Sequence, residues 1–108
     1  MSGAWNAKRI RVLVADDSAF MRKCLREMLA ADPQIEVVDV ARDGEEAVAK
    51  ARELRPDVVT LDVNMPKMDG LTALQRILLE APCAVVMISS LTQEGALTTI
   101  EALELGAV

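Results

Sequence analysis

Four short runs dominated by apolar and β-branched residues recur along the chain: IRVLVA (Ile10–Ala15), IEVVDV (Ile35–Val40), DVVTL (Asp57–Leu61) and AVVMI (Ala84–Ile88). Each is too short for a helix of ordinary length, and stretches with helical periodicity separate them. After the first run, Met21, Leu25, Met28 and Leu29 fall at i, i+4, i+7 and i+8, which places them on one helical face. Ser18 can cap that helix, and Asp32-Pro33 ends it, because proline disfavours helical geometry in the residue before it. After the second run, Asp43 is a candidate cap with Glu46 three residues on. Ala47, Val48, Ala51 and Leu54 form the apolar face, and Arg55-Pro56 is the stop. The third run leads into a loop over residues 62–70 and a helix marked by Leu71, Leu74, Ile77 and Leu78, ending near Pro82. A fourth helix is expected from about Thr92 to Leu105, with Leu97, Ile100 and Leu103 inward and Gly106 as its stop.

The order is therefore β-α repeated four times. Near-continuous apolar strands joined by amphipathic helices form a parallel sheet covered on both faces. The second strand carries Glu36 and Asp39, a polarity that suits a sheet edge. With 108 residues, of which 52% are apolar, the chain fits one small domain with a core. Residues 1–8 read as a flexible lead-in, and Trp5 within them has no assigned role.

Several function classes are excluded. The chain has no histidine, so it holds neither a Ser-His-Asp triad nor an imidazole metal site. A formal net charge of −5 argues against a nucleic-acid surface. No apolar run approaches the roughly 20 residues that span a bilayer, and the start lacks the apolar stretch of a signal peptide, so a cytoplasmic protein without membrane attachment is expected. Cys24 and Cys83 show no metal-ligand spacing and read as small buried hydrophobes in a reducing compartment. No glycine-rich nucleotide loop is present.

What remains is concentrated at one rim. In an open parallel sheet, ligands bind beyond the carboxyl ends of the strands. Strand one ends in Asp16-Asp17, strand three in Asp62 with Asn64 two residues later, and strand four in Ser89-Ser90. Taken singly, each of these is a turn or a helix cap. Three separate strands have no reason to place independent caps at the same end. If strands one and three are neighbours, three carboxylates converge; their repulsion and burial raise their pKa values, and a hard divalent cation relieves both. An all-oxygen site without histidine suits Mg²⁺, with Mn²⁺ as the alternative. A carboxylate held there opposite a phosphorylated donor can attack phosphorus and form an acyl phosphate.

VLVADDS (12–18), ARDGEEAV (41–48), PDVVTLDVNMPKMDG (56–70) and VVMISS (85–90) together resemble the receiver domain of two-component response regulators. Within receivers, DDSAFMRK (16–23), VVMISSLTQEGA (85–96) and ALELGAV (102–108) are similar to the N-terminal domain of chemotaxis protein-glutamate methylesterases. The resemblance implies an α/β, flavodoxin-like, doubly wound parallel sheet of strand order 2-1-3-4-(5), spanning residues 9–108. It implies Asp62 as phosphoacceptor, Asp17 as a direct Mg²⁺ ligand, Asp16 acting mainly through metal-bound water, and Asn64 giving its backbone carbonyl to the metal. Ser89 supplies a hydroxyl that turns to the phosphoryl group, while Pro66 and Gly70 shape the loop. Met65 and Met68 read as loop packing. The implied partners are a histidine kinase as phosphodonor and, in a longer protein, a C-terminal methylesterase effector domain acting on chemoreceptors.

The sequence departs from the family at its end. A lysine in a K-P pair after strand five, and an aromatic switch position on that strand, are expected but absent; neither Lys67 nor Lys8 stands in the lysine's place. The chain thus reads as a receiver incomplete before strand five and helix five, with self-association through an open sheet edge expected. Two rivals stand beside the phosphorylated switch. One is a receiver-like interaction module that works without phosphorylation. The other is an Mg²⁺-dependent aspartyl phosphohydrolase, which wants a second acid two residues after the nucleophile, where this chain has Asn64.

Overall fold

The computed structural model describes residues 8–88. In them, β1 (Ile10–Ala15), α1 (Ala19–Ala30), β2 (Ile35–Ala41), α2 (Gly44–Leu54), β3 (Val58–Asp62), α3 (Gly70–Glu80) and β4 (Ala84–Ile88) alternate along the chain. The four strands form one parallel sheet in the order β2-β1-β3-β4, the flavodoxin-like order for these strands. The more polar β2 takes an edge, as its charges require. The expected fourth helix, its inward residues Leu97, Ile100 and Leu103, Trp5 and both Ser89 and Ser90 lie outside the described residues.

Local chemistry fixes the helix ends. Ser18 accepts the Met21 N–H, Asp43 the Glu46 N–H, and Asp69 the Thr72 N–H. Glu46 returns the favour one residue early: its carboxylate accepts the Arg42 N–H at 2.9 Å, not that of the cap residue. Arg55 closes α2 in the left-handed region, with φ 49°, immediately before Pro56. Two strands differ in their bounds from expectation. β3 begins at Val58 and includes Asp62, which pairs with Ile88 of β4; just before it, the Asp57 carboxylate accepts the Arg11 N–H at 2.9 Å. β2 runs one residue further, to Ala41.

The core sits on one face of the sheet. Leu13 and Ala15 of β1, Val59 and Leu61 of β3 and Val85 of β4 meet Ala47, Val48 and Ala51 of α2 and Ala73, Leu74 and Ile77 of α3. Met65 and Met68 pack into the same cluster, as expected. The opposite face carries Val12 and Val14, both buried, with α1 laid over β1 and β2. Here the expectation is corrected. No residue of α1 is fully buried, and Met21 and Met28, on the apolar face that the spacing marks, are 37% and 70% exposed. The helix lies across the edge pair β1 and β2, so it offers the sheet a narrower stripe than the sequence periodicity marks out. The cysteines are also corrected in degree: both are free, but half-buried.

Candidate metal and phosphoryl site

Strand register assembles the site. Ala15 of β1 pairs with Leu61 of β3 on one side and Ala41 of β2 on the other. The next residues along the two central strands, Asp16 and Asp62, therefore arrive together at the carboxyl rim, and Asp17 follows at the loop. One carboxylate oxygen from each of Asp16, Asp17 and Asp62 lies within 4.8 Å of the other two. A cleft of about 410 Å³ opens over them, bordered by Ser18, Asn64, Met21 and Ile88.

The three acids sit in different surroundings. Asp16 is 5% exposed and fixed: its Oδ1 accepts the Ser18 N–H at 2.9 Å, and its carbonyl accepts Arg22 Nη1 at 2.9 Å. Asp17 is exposed. Asp62 is half-buried, and its pKa is pushed up to about 6. Loss of surrounding water is the main cause, and the negative charges of Asp16 and Asp17 add to it, while the Asn64 N–H, 3.2 Å from Oδ1, pulls the other way. A carboxyl that resists ionisation beside two others signals an anionic concavity that favours a compact cation. The donors are all oxygen, they converge on one point, and the cleft leaves room for water or phosphate oxygens. That donor set fits Mg²⁺.

The structure thus brings together Asp16, Asp17 and Asp62, with Asn64 on the same cleft; Ser89 is outside the described residues. Sequence reasoning missed Met21 and Ile88 as cleft walls and Arg22 as the clamp on Asp16. The first was within reach, since Met21 stands one helical turn after Asp17. A second cleft of about 440 Å³ lies at the opposite end of the strands, lined by Lys8, Arg9, Arg11, Glu36, Arg55 and Asp57. It is larger but mostly basic and lacks convergent carboxylates, so it is not the seat of this chemistry.

A profile of the response regulator receiver domain matches residues 12–108. The chain belongs to the response regulator receiver domain family. Among its relatives, the protein-glutamate methylesterase/protein-glutamine glutaminase of Caldanaerobacter subterraneus is 71% identical over 101 residues, 94% of this chain and 28% of that protein. A protein of the same name from Carboxydothermus hydrogenoformans is 68% identical over 100 residues, 93% of this chain and 28% of that one. The chain therefore spans little more than a quarter of these relatives, the receiver part alone. The solved response regulator domain of Thermotoga maritima CheB is similar at TM-score 0.87 and 55% identity, covering 94% of this chain and 75% of that one. The CheX-CheY-BeF3-Mg²⁺ complex of Borrelia burgdorferi is similar at TM-score 0.84 and 37% identity, covering 97% and 78%. Among the described residues no helix is long and apolar enough to cross a membrane.

Proposed function

We propose that this receiver takes a phosphoryl group on Asp62 from the phosphohistidine of a partner kinase. The observation that carries the reading is the convergence of the Asp16, Asp17 and Asp62 carboxylates within 4.8 Å. Asp17 would hold Mg²⁺ directly, Asp16 would act mainly through metal-bound water, and the Asn64 main-chain carbonyl would add a further oxygen. Bound there, the cation neutralises the carboxylates and the charge that develops on the phosphoryl oxygens. The Asp62 carboxylate oxygen attacks phosphorus in line. The P–N bond of the donor breaks, and its electron pair stays on the imidazole nitrogen. Ser89, which follows the last residue of β4, offers its hydroxyl to the new phosphoryl group. Phosphorylation adds about two negative charges at the carboxyl end of β3, enough to bias a two-state segment.

The relatives' names support a second, wider reading. In a longer protein, the switch governs a protein-glutamate methylesterase domain that acts on chemoreceptors. The magnesium assignment also draws support from the similar Borrelia burgdorferi complex, which contains CheX, CheY, BeF3 and Mg²⁺.

The experiment is to incubate the chain with acetyl phosphate, with and without Mg²⁺, and to weigh it. A Mg²⁺-dependent phosphoryl adduct that disappears in Asp62→Asn is expected. An adduct indifferent to that substitution would remove Asp62 from its role. Absence of any adduct or metal effect would favour the module that works without phosphorylation, and steady phosphate release from unrelated monoesters would favour the hydrolase.

A further inference from the structure

We infer that Asp43 and Gly44, at the start of α2, are positioning residues for the acidic site: the β3–α3 loop that carries Asn64 is seated on them. The inference rests on the phosphoacceptor reading above and adds to it an element that contributes no side chain to the cleft.

Three observations meet at this seat. A Cβ built on Gly44 would stand 2.1 Å from the Met68 carbonyl oxygen and 2.7 Å from Met68 Cβ. The loop backbone therefore lies directly on the first residue of α2, and only glycine leaves room for it. Next to that contact, Lys67 adopts φ 67°, a left-handed conformation that costs a lysine energy. Its Nζ stands 3.6 Å from Asp43 Oδ2. Asp43 is 8% exposed, and its Oδ1 is committed to the Glu46 N–H at 2.8 Å. One buried carboxylate thus caps α2 with one oxygen and faces the loop's ammonium with the other.

The far end of the loop is just as tightly held. A Cβ on Gly70 would stand 2.5 Å from the Asp62 carbonyl oxygen and 2.8 Å from Val63 Cα, and the Gly70 N–H donates to the Val63 carbonyl at 2.9 Å. Between the two contacts, Met65 is buried in the core, and Met68 N–H closes on the Pro66 carbonyl at 2.7 Å. The segment is pinned at residues 63, 65, 68 and 70. Any shift of its seat on α2 is passed to Asn64, whose carbonyl has to meet the cation and whose N–H holds Asp62.

A role in packing alone would lower stability and leave metal affinity where it was. Positioning predicts a loss of affinity, because groups that orient a ligand set from behind typically cost about 10–100-fold in metal affinity when changed. The test uses the full chain and titrates Mg²⁺ by calorimetry, with melting curves in EDTA and metal-free amide spectra alongside. Gly44→Ala is expected to weaken Mg²⁺ by about tenfold and to move the amide signals of residues 62–68 while those of β1 and β2 stay in place. Since an alanine at 44 meets backbone, Asp43→Asn is run with it. Asparagine keeps the cap and loses only the charge that faces Lys67, so about threefold weakening is expected, with nothing added by a second change, Lys67→Met. Folded Gly44→Ala and Asp43→Asn proteins that bind Mg²⁺ within about twofold of the parent overturn the inference. If the parent binds no Mg²⁺, the phosphoacceptor reading falls by itself. The spectra then decide the positioning question alone, and signal changes confined to α2 refute it.

Discussion

Asp62 carries an unfavourable charge until something shares it. Its pKa stands near 6 in the folded chain, raised by burial first and by Asp16 and Asp17 next, against an ordinary value of 3.8. Between those two values the folded state binds more protons than the unfolded state. Stability without metal therefore falls as the pH rises from about 4 to about 6, and the penalty is complete above that. Asp62→Asn removes it. In EDTA at pH 8 this variant is expected to melt above the parent, and at pH 4 the two are expected to melt together. Calorimetric scans at both pH values check this; a variant that melts lower at pH 8 would mean that the Asp62 charge is already compensated. The same pKa sets metal binding. Below pH 6 the proton competes with the cation, so Mg²⁺ affinity is expected to fall by about tenfold per pH unit, the dependence of a one-proton competition.

At the scale of elements, β2 shows how an edge strand is kept to itself. Both main-chain groups of Val40 are occupied by side chains: its N–H donates to Asp39 Oδ1 at 2.7 Å, and its carbonyl accepts Lys50 Nζ at 2.5 Å. Lys50 also pairs with Asp39 at 3.1 Å and Glu46 at 3.6 Å, and the register with β1 slips between Val12 and Leu13. Bulges and charges of this kind spoil an edge as a template for another strand. Lys50→Ala is expected to cost about 1 kcal/mol and to bring on concentration-dependent association. Sedimentation at rising concentration reads this, and a variant that stays monomeric would show that the slipped register suffices. The elements themselves were legible in the sequence. Among the described residues, period, proline stops and caps at Ser18 and Asp43 located each helix and strand to within a residue or two, since those signals act over four residues or fewer. The burial of α1 was not legible. The sequence marks an apolar stripe, but which part of it meets the sheet depends on how the helix crosses β1 and β2. The convergence of Asp16, Asp17 and Asp62 was legible only on the condition that β1 and β3 are neighbours, a matter of topology. The seat of Met68 on Gly44 was not visible at all, because it joins a loop to the first turn of α2 through close backbone approach, which leaves no pattern of side chains.

At the scale of the whole molecule, charge is distributed unevenly. The carboxyl rim of the sheet holds the convergent acids, and the opposite rim holds Lys8, Arg9, Arg11 and Arg55. A cation at the acidic rim binds the folded chain and not the unfolded one, whose three carboxylates are dispersed, so binding energy becomes folding energy. At a Mg²⁺ concentration about 100 times the dissociation constant this linkage is worth about 2.7 kcal/mol, several degrees of melting temperature for a domain of this size. The gain is expected at pH 8, to shrink at pH 5 where Asp62 is protonated, to vanish with EDTA, and to be abolished in Asp17→Asn. Sodium chloride at matched ionic strength separates this from screening, which acts on exposed charges generally and has no special regard for residues 16, 17 and 62. If the salt raises the melting temperature as much as Mg²⁺ does, the acidic rim is a diffuse anionic surface, and the site has lost its metal.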